Sequence, residues 1–96
     1  CGAYLRPDVV WFGEMLPQKA LERAYVLSAA CDVMLVVGTS GLVSPASTLP
    51  AIAHEADAKI VLVNPDVTPH KRLADIWLQG PSGEMLPQVL QAMGVA

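Results

Sequence analysis

Residues 33–46 read VMLVVGTSGLVSPA, an apolar run that ends abruptly in small and polar residues. The run from Val33 to Val37 is β-branched or aliphatic, which predicts a buried strand. Gly38, Thr39 and Ser40 follow directly, where the strand would reach the edge of its sheet. Glycine lets a ligand approach the backbone closely, and hydroxyl and N–H groups before a helix suit a phosphate. The stretch therefore predicts a strand that ends in a binding loop.

Further segments of the chain have the composition of buried strands. They are rich in β-branched, aliphatic and aromatic residues, and glycine or asparagine follows each of them directly or after one residue. These segments are residues 9–12, 60–63 and 74–78. Strands that alternate with helices join by right-handed crossovers into a mostly parallel sheet. We therefore expect an α/β fold, with a mostly parallel sheet and flanking helices.

Amphipathic segments between and after these strands predict the helices. Pro17 opens the first, and Ser44 and Pro45 are the expected N-cap and first residue of the second. Pro50 is expected to split or kink that second helix. The apolar faces expected to pack inward are Ala20, Ala24, Leu27 and Cys31, then Leu49, Ile52, Ala53 and Ala56, and finally Leu86, Val89, Leu90 and Met93.

The composition excludes several classes of protein. The chain is 53% apolar and 16% charged, which is typical of strands covered on both faces. Its apolar runs are far shorter than the roughly 18 to 20 residues of a membrane span, and a net charge of −3 without a basic stripe argues against nucleic acid. Cys1 and Cys31 make no disulfide framework, so we expect a reducing, cytoplasmic compartment. Ninety-six residues predict one domain, residues 1–96.

Ligands of an open parallel sheet bind beyond the carboxyl ends of its strands. The residues expected there are all small or polar. They are Gly13 and Glu14, residues 38–40, residues 64–66 and residues 80–83. Asn64 and Asp66 would suit ribose hydroxyls, as carboxylates do in dinucleotide-binding folds. Each group alone also fits an ordinary turn, and no G-x-G-x-x-G fingerprint is present. Their position at one sheet edge favours a nucleotide site.

The remaining candidate residues indicate no catalytic site by themselves. His54 is expected on a helix surface and His70 in a solvated loop, and neither has the partners that a catalytic triad needs. Cys31 is expected in the core. Cys1 would suit the end of a C-x-x-C zinc pair, but one cysteine cannot complete a four-ligand site.

Taken together, several motifs resemble the carboxyl-terminal half of a sirtuin, the family of NAD-dependent protein lysine deacylases. In chain order the motifs are CGAYLRPDVVWFGE (1–14), VVGTSGLVSPAS (36–47), VNPDVTP (63–69) and GPSGEMLPQVL (80–90). The first is similar to the bacterial and mitochondrial branch that includes desuccinylases. The resemblance implies that residues 1–96 are the carboxyl-terminal part of a Rossmann-like NAD-binding domain. Because the chain begins at Cys1 rather than methionine, we expect a piece of a longer protein or a processed chain.

The resemblance also implies roles for individual residues. Gly38, Thr39 and Ser40 match contacts to the phosphate and ribose of NAD, Asn64 and Asp66 match contacts to the adenosine ribose, and Ser82 falls near the adenine. A second group matches the strand-like segment that pairs with the acyl-lysine peptide, with its aromatic members beside the acyl channel. This group is Val10, Trp11, Phe12, Gly13 and Glu14. Cys1 matches the last of four zinc ligands.

The sirtuin phosphate loop, nicotinamide pocket and catalytic histidine belong to the amino-terminal half and are absent from these 96 residues. We therefore expect an NAD-dependent deacetylase or desuccinylase to which this chain contributes the adenosine side of the NAD site and one wall of the peptide cleft. The family reaction begins when the acyl-amide oxygen attacks the nicotinamide ribose, and it yields nicotinamide, O-acyl-ADP-ribose and free lysine. The chain alone is expected to be inactive. The alternatives are a Rossmann domain of another NAD- or flavin-using enzyme, and a non-catalytic nucleotide-binding fragment.

Overall fold

The computed structural model describes residues 14–94. The predicted strand over residues 9–12 and the predicted site residues Cys1, Val10, Trp11, Phe12 and Gly13 lie outside the described residues. The elements, in chain order, are α1 (Gln18–Ala30), β1 (Val33–Val37), a first 3₁₀ helix (Ala46–Thr48), α2 (Leu49–Glu55), β2 (Lys59–Val63), a second 3₁₀ helix (Pro69–Arg72), β3 (Ile76–Leu78) and α3 (Ser82–Met93).

The described strands form one parallel sheet in the order β1-β2-β3, which confirms the predicted α/β fold. In the register of the sheet, Val37 lies beside Val63, and Val63 lies beside Leu78. The strands therefore end at one level. The segments that follow them, which begin at Gly38, Asn64 and Gln79, leave the same edge of the sheet.

The hydrophobic core lies between the sheet and α2. The buried cluster consists of Val36, Ala53, Ala58, Ile60 and Leu62, with Cys31, Met34, Ala74 and Trp77 packed against it. Complete burial of a Leu or Ile side chain contributes roughly 1.5 to 3 kcal/mol, and Ile60 and Leu62 are both completely buried. The other face of the sheet is open in the described part of the chain, because Val33, Leu35 and Ile76 are each more than half exposed.

Helix α1 begins after Pro17 as predicted, but the predicted inward face is partly wrong. Ala20 is exposed and Leu27 is 52% exposed, whereas Ser28 is buried and Leu21 is half-buried. The buried face of α1 is therefore rotated from the predicted face by nearly one residue, or about 100° around the helix axis. Helix α1 packs against α2, and Ser28 is buried although hydropathy alone ranks a serine below a leucine for burial.

The predicted start of the second helix is also wrong. Residues 46–48 form a 3₁₀ turn whose N-cap is Pro45, not Ser44, and the Thr48 hydroxyl donates to the Pro45 carbonyl at 2.6 Å. Helix α2 then starts at Leu49. The predicted second helix is therefore split near Pro50, as expected, into a 3₁₀ turn and α2. Pro50 lies in the first turn of α2, where its missing N–H breaks no helical hydrogen bond.

The predictions for the last strand and last helix hold in part. Strand β3 begins at Ile76 and is shorter than predicted, because the carboxylate of Asp75 takes the place of a backbone acceptor. It accepts the Ile60 N–H at 2.9 Å, and the Asp75 N–H donates to the Ile60 carbonyl at 2.9 Å. Helix α3 leaves Leu90 and Met93, two residues of its predicted inward face, largely exposed. Among residues 14–94 no helix combines the length and the apolar character that a bilayer crossing requires.

Candidate functional site

An open cavity of about 390 Å³ lies at the carboxyl edge of the sheet, between the loops that follow β1 and β2. It brings together most of the residues predicted to bind a cofactor. The lining consists of Gly38, Thr39, Ser40, Leu42, Asn64, Asp66, Val67 and Thr68. The parallel register accounts for this convergence, because both loops leave their strands at the same level.

Gly38 turns the chain out of β1 and into the cavity. Its N–H donates to the Val63 carbonyl at 2.9 Å, which extends the ladder by one bond. Its φ of +65° is a conformation that residues with a side chain adopt only under strain. A Cβ at Gly38 would meet no atom within 4 Å, so the space beside this backbone is open to a ligand.

Thr39 and Ser40 present exposed hydroxyl groups at this turn. The Thr39 hydroxyl oxygen accepts the N–H of Gly41 at 3.2 Å, and that of Ser40 accepts the N–H of Leu42 at 3.3 Å. A hydroxyl that accepts one bond keeps its own hydrogen for donation. Both side chains therefore remain able to donate to an anionic oxygen.

Asn64 ties the two loops together and is only 6% exposed. Its side-chain amide donates to the Thr39 carbonyl at 2.9 Å, and its Oδ1 accepts the N–H of Asp66 at 3.0 Å. Its backbone carbonyl accepts the Trp77 indole N–H at 3.0 Å, which anchors the same residue to β3. One amide hydrogen and one oxygen lone pair of the side chain are left over. Asn64 is thus mainly a brace within the cavity wall.

Asp66 is the exposed acid of the cavity. The bond from its N–H to Asn64 fixes its backbone, while the carboxylate stands on the surface. A carboxylate is an acceptor-only group and suits a pair of donating hydroxyls such as those of a ribose.

Ser82 and Glu14 are not among the residues that line the cavity. Ser82 is the half-buried first residue of α3, and the loop before it contacts Asn64 through the Gly80 N–H, which donates to the Asn64 carbonyl at 3.3 Å. Glu14 is exposed ahead of α1. Within residues 14–94, no group of three or more His, Cys, Asp and Glu residues is arranged to hold a metal ion.

The prediction of a solvated His70 is wrong, whereas His54 is exposed on α2 as predicted. His70 is 5% exposed, and its Nε2 lies 2.9 Å from the carbonyl oxygen of Ser47. Thr68 and Pro69 give a signal that sequence reasoning passed over, since threonine followed by proline is a typical helix start. The short turn that begins there directs His70 under the loop after β1.

The comparisons with known proteins agree on one family. A sequence profile of the Sir2 family matches residues 1–45. The NAD-dependent protein deacylase 2 of Pyrobaculum aerophilum is 50% identical over 91 residues, which is 95% of this chain and 36% of that protein. The chain therefore spans about a third of the length of such curated relatives.

Solved structures show the same likeness. A Sir2 structure with a p53 peptide and NAD+ superimposes with a TM-score of 0.89 at 36% identity, over 100% of this chain and 40% of that one. A mutant Sir2 homologue with ADP-ribose superimposes with a TM-score of 0.86 at 43% identity, over 100% of this chain and 40% of that one. Sequence and fold thus lead to the same conclusion: over nearly its whole length the chain is similar to proteins of the Sir2 family.

Proposed function

We propose that the protein carrying this chain is an NAD-dependent protein deacylase. In this proposal residues 1–96 are the carboxyl-terminal part of its NAD-binding domain. The observation that carries the proposal is the meeting of the Gly38 loop, the hydroxyls of Thr39 and Ser40 and the carboxylate of Asp66 around one cavity. The names of the relatives, which are NAD-dependent protein deacylases, support the same activity.

The cavity suits the ADP-ribose part of NAD in size and chemistry. Its volume of about 390 Å³ falls within the usual range for small-molecule sites. The backbone at Gly38 is approachable, and the hydroxyls of Thr39 and Ser40 donate toward a diphosphate oxygen. Asp66 accepts from the hydroxyls of the adenosine ribose. The two chemical demands of the ligand, donors for the phosphates and an acceptor for the ribose, are therefore met by different loops.

Asn64 and Ser82 complete the proposed adenosine side of the site. Asn64 holds Thr39 and Asp66 at the correct spacing, and its remaining amide hydrogen and lone pair are available to the ribose. The loop before α3 lies beside Asn64, so Ser82 is proposed near the adenine through its backbone.

The peptide cleft and the zinc site are proposed on residues 1–14. Residues 10–14 would pair with an acyl-lysine peptide by main-chain hydrogen bonds, a mode that demands little of the peptide sequence. NAD, when bound, would supply the electrophilic ribose carbon that the acyl-amide oxygen attacks, with nicotinamide as the leaving group. Cys1 is proposed as one ligand of a structural zinc ion, which needs four ligands in all.

We also propose a cytoplasmic location. Cys31 is a free, half-buried cysteine packed against the core, which suits a reducing compartment.

The test is deacylation by the full-length protein. Acetyl-, propionyl- and succinyl-lysine peptides are incubated with and without NAD, and released nicotinamide and deacylated peptide are measured by mass spectrometry. We expect both products in equal amounts and only with NAD, and we expect none from the 96-residue chain alone. Absence of NAD-dependent deacylation with every acyl group would overturn the proposal.

A matched pair of variants links the activity to the cavity. Asp66→Ala should raise the KM for NAD several-fold and leave kcat at saturating NAD nearly unchanged, because an exposed side chain adds little to the fold. Glu55→Ala removes an exposed carboxylate from α2 and should leave both constants unchanged. Equal kinetics for the two variants would place the NAD site elsewhere.

A further inference from the structure

The loop after β1 is held at both ends by side chains from the segment that follows β2. At its start, Asn64 donates to the Thr39 carbonyl at 2.9 Å. Just beyond its end, in the first 3₁₀ helix, the Ser47 carbonyl lies 2.9 Å from the His70 ring. Between these two points residues 42–44 are exposed. The anchors at the two ends therefore set the path of the loop.

The chemistry of the second anchor fixes the role of each ring nitrogen of His70. A carbonyl oxygen can only accept a hydrogen bond, so Nε2 must carry the hydrogen that it donates to Ser47. Nδ1 is buried and has no hydrogen-bond partner among the described residues. The hydrogen bond to Ser47 is the one bond that the buried ring makes to a described residue. Loss of this bond would leave both ring nitrogens buried without a partner, at a cost in free energy, so the bond is expected to be retained in the folded protein.

The same ring also supports the middle of the loop. A Cβ built on Gly41 would lie 3.2 Å from both Cε1 and Nδ1 of His70 and 3.3 Å from the ring of Pro69. The backbone at Gly41 therefore rests on the edge of the imidazole. Gly41 has a φ of +72°, so position 41 is restricted to glycine by conformation as well as by contact.

We propose that His70 is a positioning residue for NAD binding: through Ser47 and Gly41 it holds the loop of residues 38–44 in the shape that receives the diphosphate. The inference rests on the proposed function, since it assigns the diphosphate to this loop. His70 itself is not among the residues that line the cavity beside Asp66, so its effect on the ligand is indirect.

The experiment compares His70→Leu with His70→Gln in the full-length protein. Leucine fills similar space without a donor, whereas the side-chain amide of glutamine can donate to Ser47 in place of Nε2. ADP-ribose affinity is measured by calorimetry beside thermal melting. We expect His70→Leu to raise the Kd about three- to tenfold, the equivalent of one lost buried hydrogen bond. His70→Gln should stay within about twofold of the wild type, and so should the exposed control His54→Leu.

A second measurement does not depend on ligand. The Ser47 N–H donates to the Val43 carbonyl at 2.9 Å within the loop exit, so its hydrogen exchange reports how firmly the loop is held. We expect faster exchange at Ser47 in His70→Leu and wild-type exchange in His70→Gln. If the wild type binds no ADP-ribose, the proposed function fails, and this exchange still decides whether His70 holds the loop.

A third measurement uses the wild type alone and covers the case in which His70→Leu does not fold. If loop shape and binding are coupled, ADP-ribose should slow exchange at Ser47. The inference is overturned by wild-type affinity in a folded His70→Leu variant, by glutamine performing no better than leucine, or by bound ADP-ribose that leaves Ser47 exchange unchanged.

Discussion

The two loops that form the cavity differ in how they are held. Residues 38–44, after β1, are largely exposed, and within residues 14–94 the hydroxyls of Thr39 and Ser40 accept hydrogen bonds only from the nearby N–H groups of Gly41 and Leu42. The loop after β2 begins at the buried Asn64, which is bonded to β3 through Leu78 and Trp77. The first loop presents two hydroxyls to a ligand, whereas the second adds the exposed Asp66 carboxylate and provides the frame through Asn64.

This difference predicts which substitutions change ligand affinity alone and which also change the stability of the fold. Groups on the exposed loop have water as an alternative partner, so their loss affects ligand binding more than folding. The buried polar groups of the anchored loop, such as the Asn64 amide, leave unpaired polar atoms behind when they are lost. The exposed Asp66 of that loop is expected to behave like the groups of the first loop. Substitutions in the two loops should therefore divide into those that change binding alone and those that change both properties.

The largest effect is expected for Asn64→Ala, which removes the bonds to Thr39 and Asp66. We expect the free energy of unfolding to fall by about 1 to 3 kcal/mol, the cost of leaving buried polar groups unpaired. ADP-ribose affinity should fall about tenfold or more, since both loops lose their spacing. Chemical denaturation and calorimetry on the same samples measure the two losses.

The variant Asn64→Ser separates the effects of the two side-chain hydrogen bonds of Asn64. A serine hydroxyl can still cap the turn at Asp66, but it is too short to reach Thr39. The serine variant should recover part of the stability and bind ADP-ribose as weakly as the alanine variant. Full recovery of binding by serine would show that the link to Thr39 does not matter.

A smaller effect is expected for Gly38→Ala. The positive φ should cost roughly 1 to 2 kcal/mol of stability, and the added methyl would occupy the open space beside the backbone. Gly94→Ala is the matched control, because Gly94 has a φ of +78° and equally open surroundings at the end of α3. Both variants should melt at lower temperature, but only Gly38→Ala should weaken ADP-ribose binding. Unchanged binding would leave Gly38 as a turn residue only.

The smallest effect on the fold is expected for Asp66→Ala. The side chain is exposed, so the free energy of unfolding should change by less than about 0.5 kcal/mol. NAD affinity should fall several-fold, because a hydrogen bond to ribose contributes about 0.5 to 1.5 kcal/mol, or more with a charged acceptor. Separate dissociation constants for NAD and for an acyl-lysine peptide test this, and equal losses for both ligands would contradict it.

Much of the fold could be predicted from the sequence. Strand β1 was bounded correctly, because its apolar run lies between Asp32 and Gly38, two residues that seldom continue a strand. The inward face of α1 could not be predicted, since Leu27 is more apolar than Ser28 and yet Ser28 is buried and Leu27 is half exposed. The predicted length of β3 was wrong because the long-range bond from Asp75 to Ile60 leaves no trace in local composition.

The site was predictable to a similar degree. Parallel strands that end at one level bring Gly38 and Asp66 to the same edge, and this follows from the order of elements alone. The bracing role of Asn64 and the burial of His70 could not be predicted, because each depends on a partner more than 20 residues away in the chain. The local sequence predicts that Asn64 and His70 lie in turns. It does not predict that their side chains bond the carbonyl groups of Thr39 and Ser47.

The proposed NAD site is tested most directly by an NMR titration of the isotopically labelled full-length protein with ADP-ribose. We expect the largest amide shift changes on residues 38–41, 64 and 66–68, while residues 18–30 of α1 remain nearly unchanged. Saturable binding that perturbs other residues and leaves both loops unshifted would contradict the claim that this sheet edge holds the adenosine side of NAD.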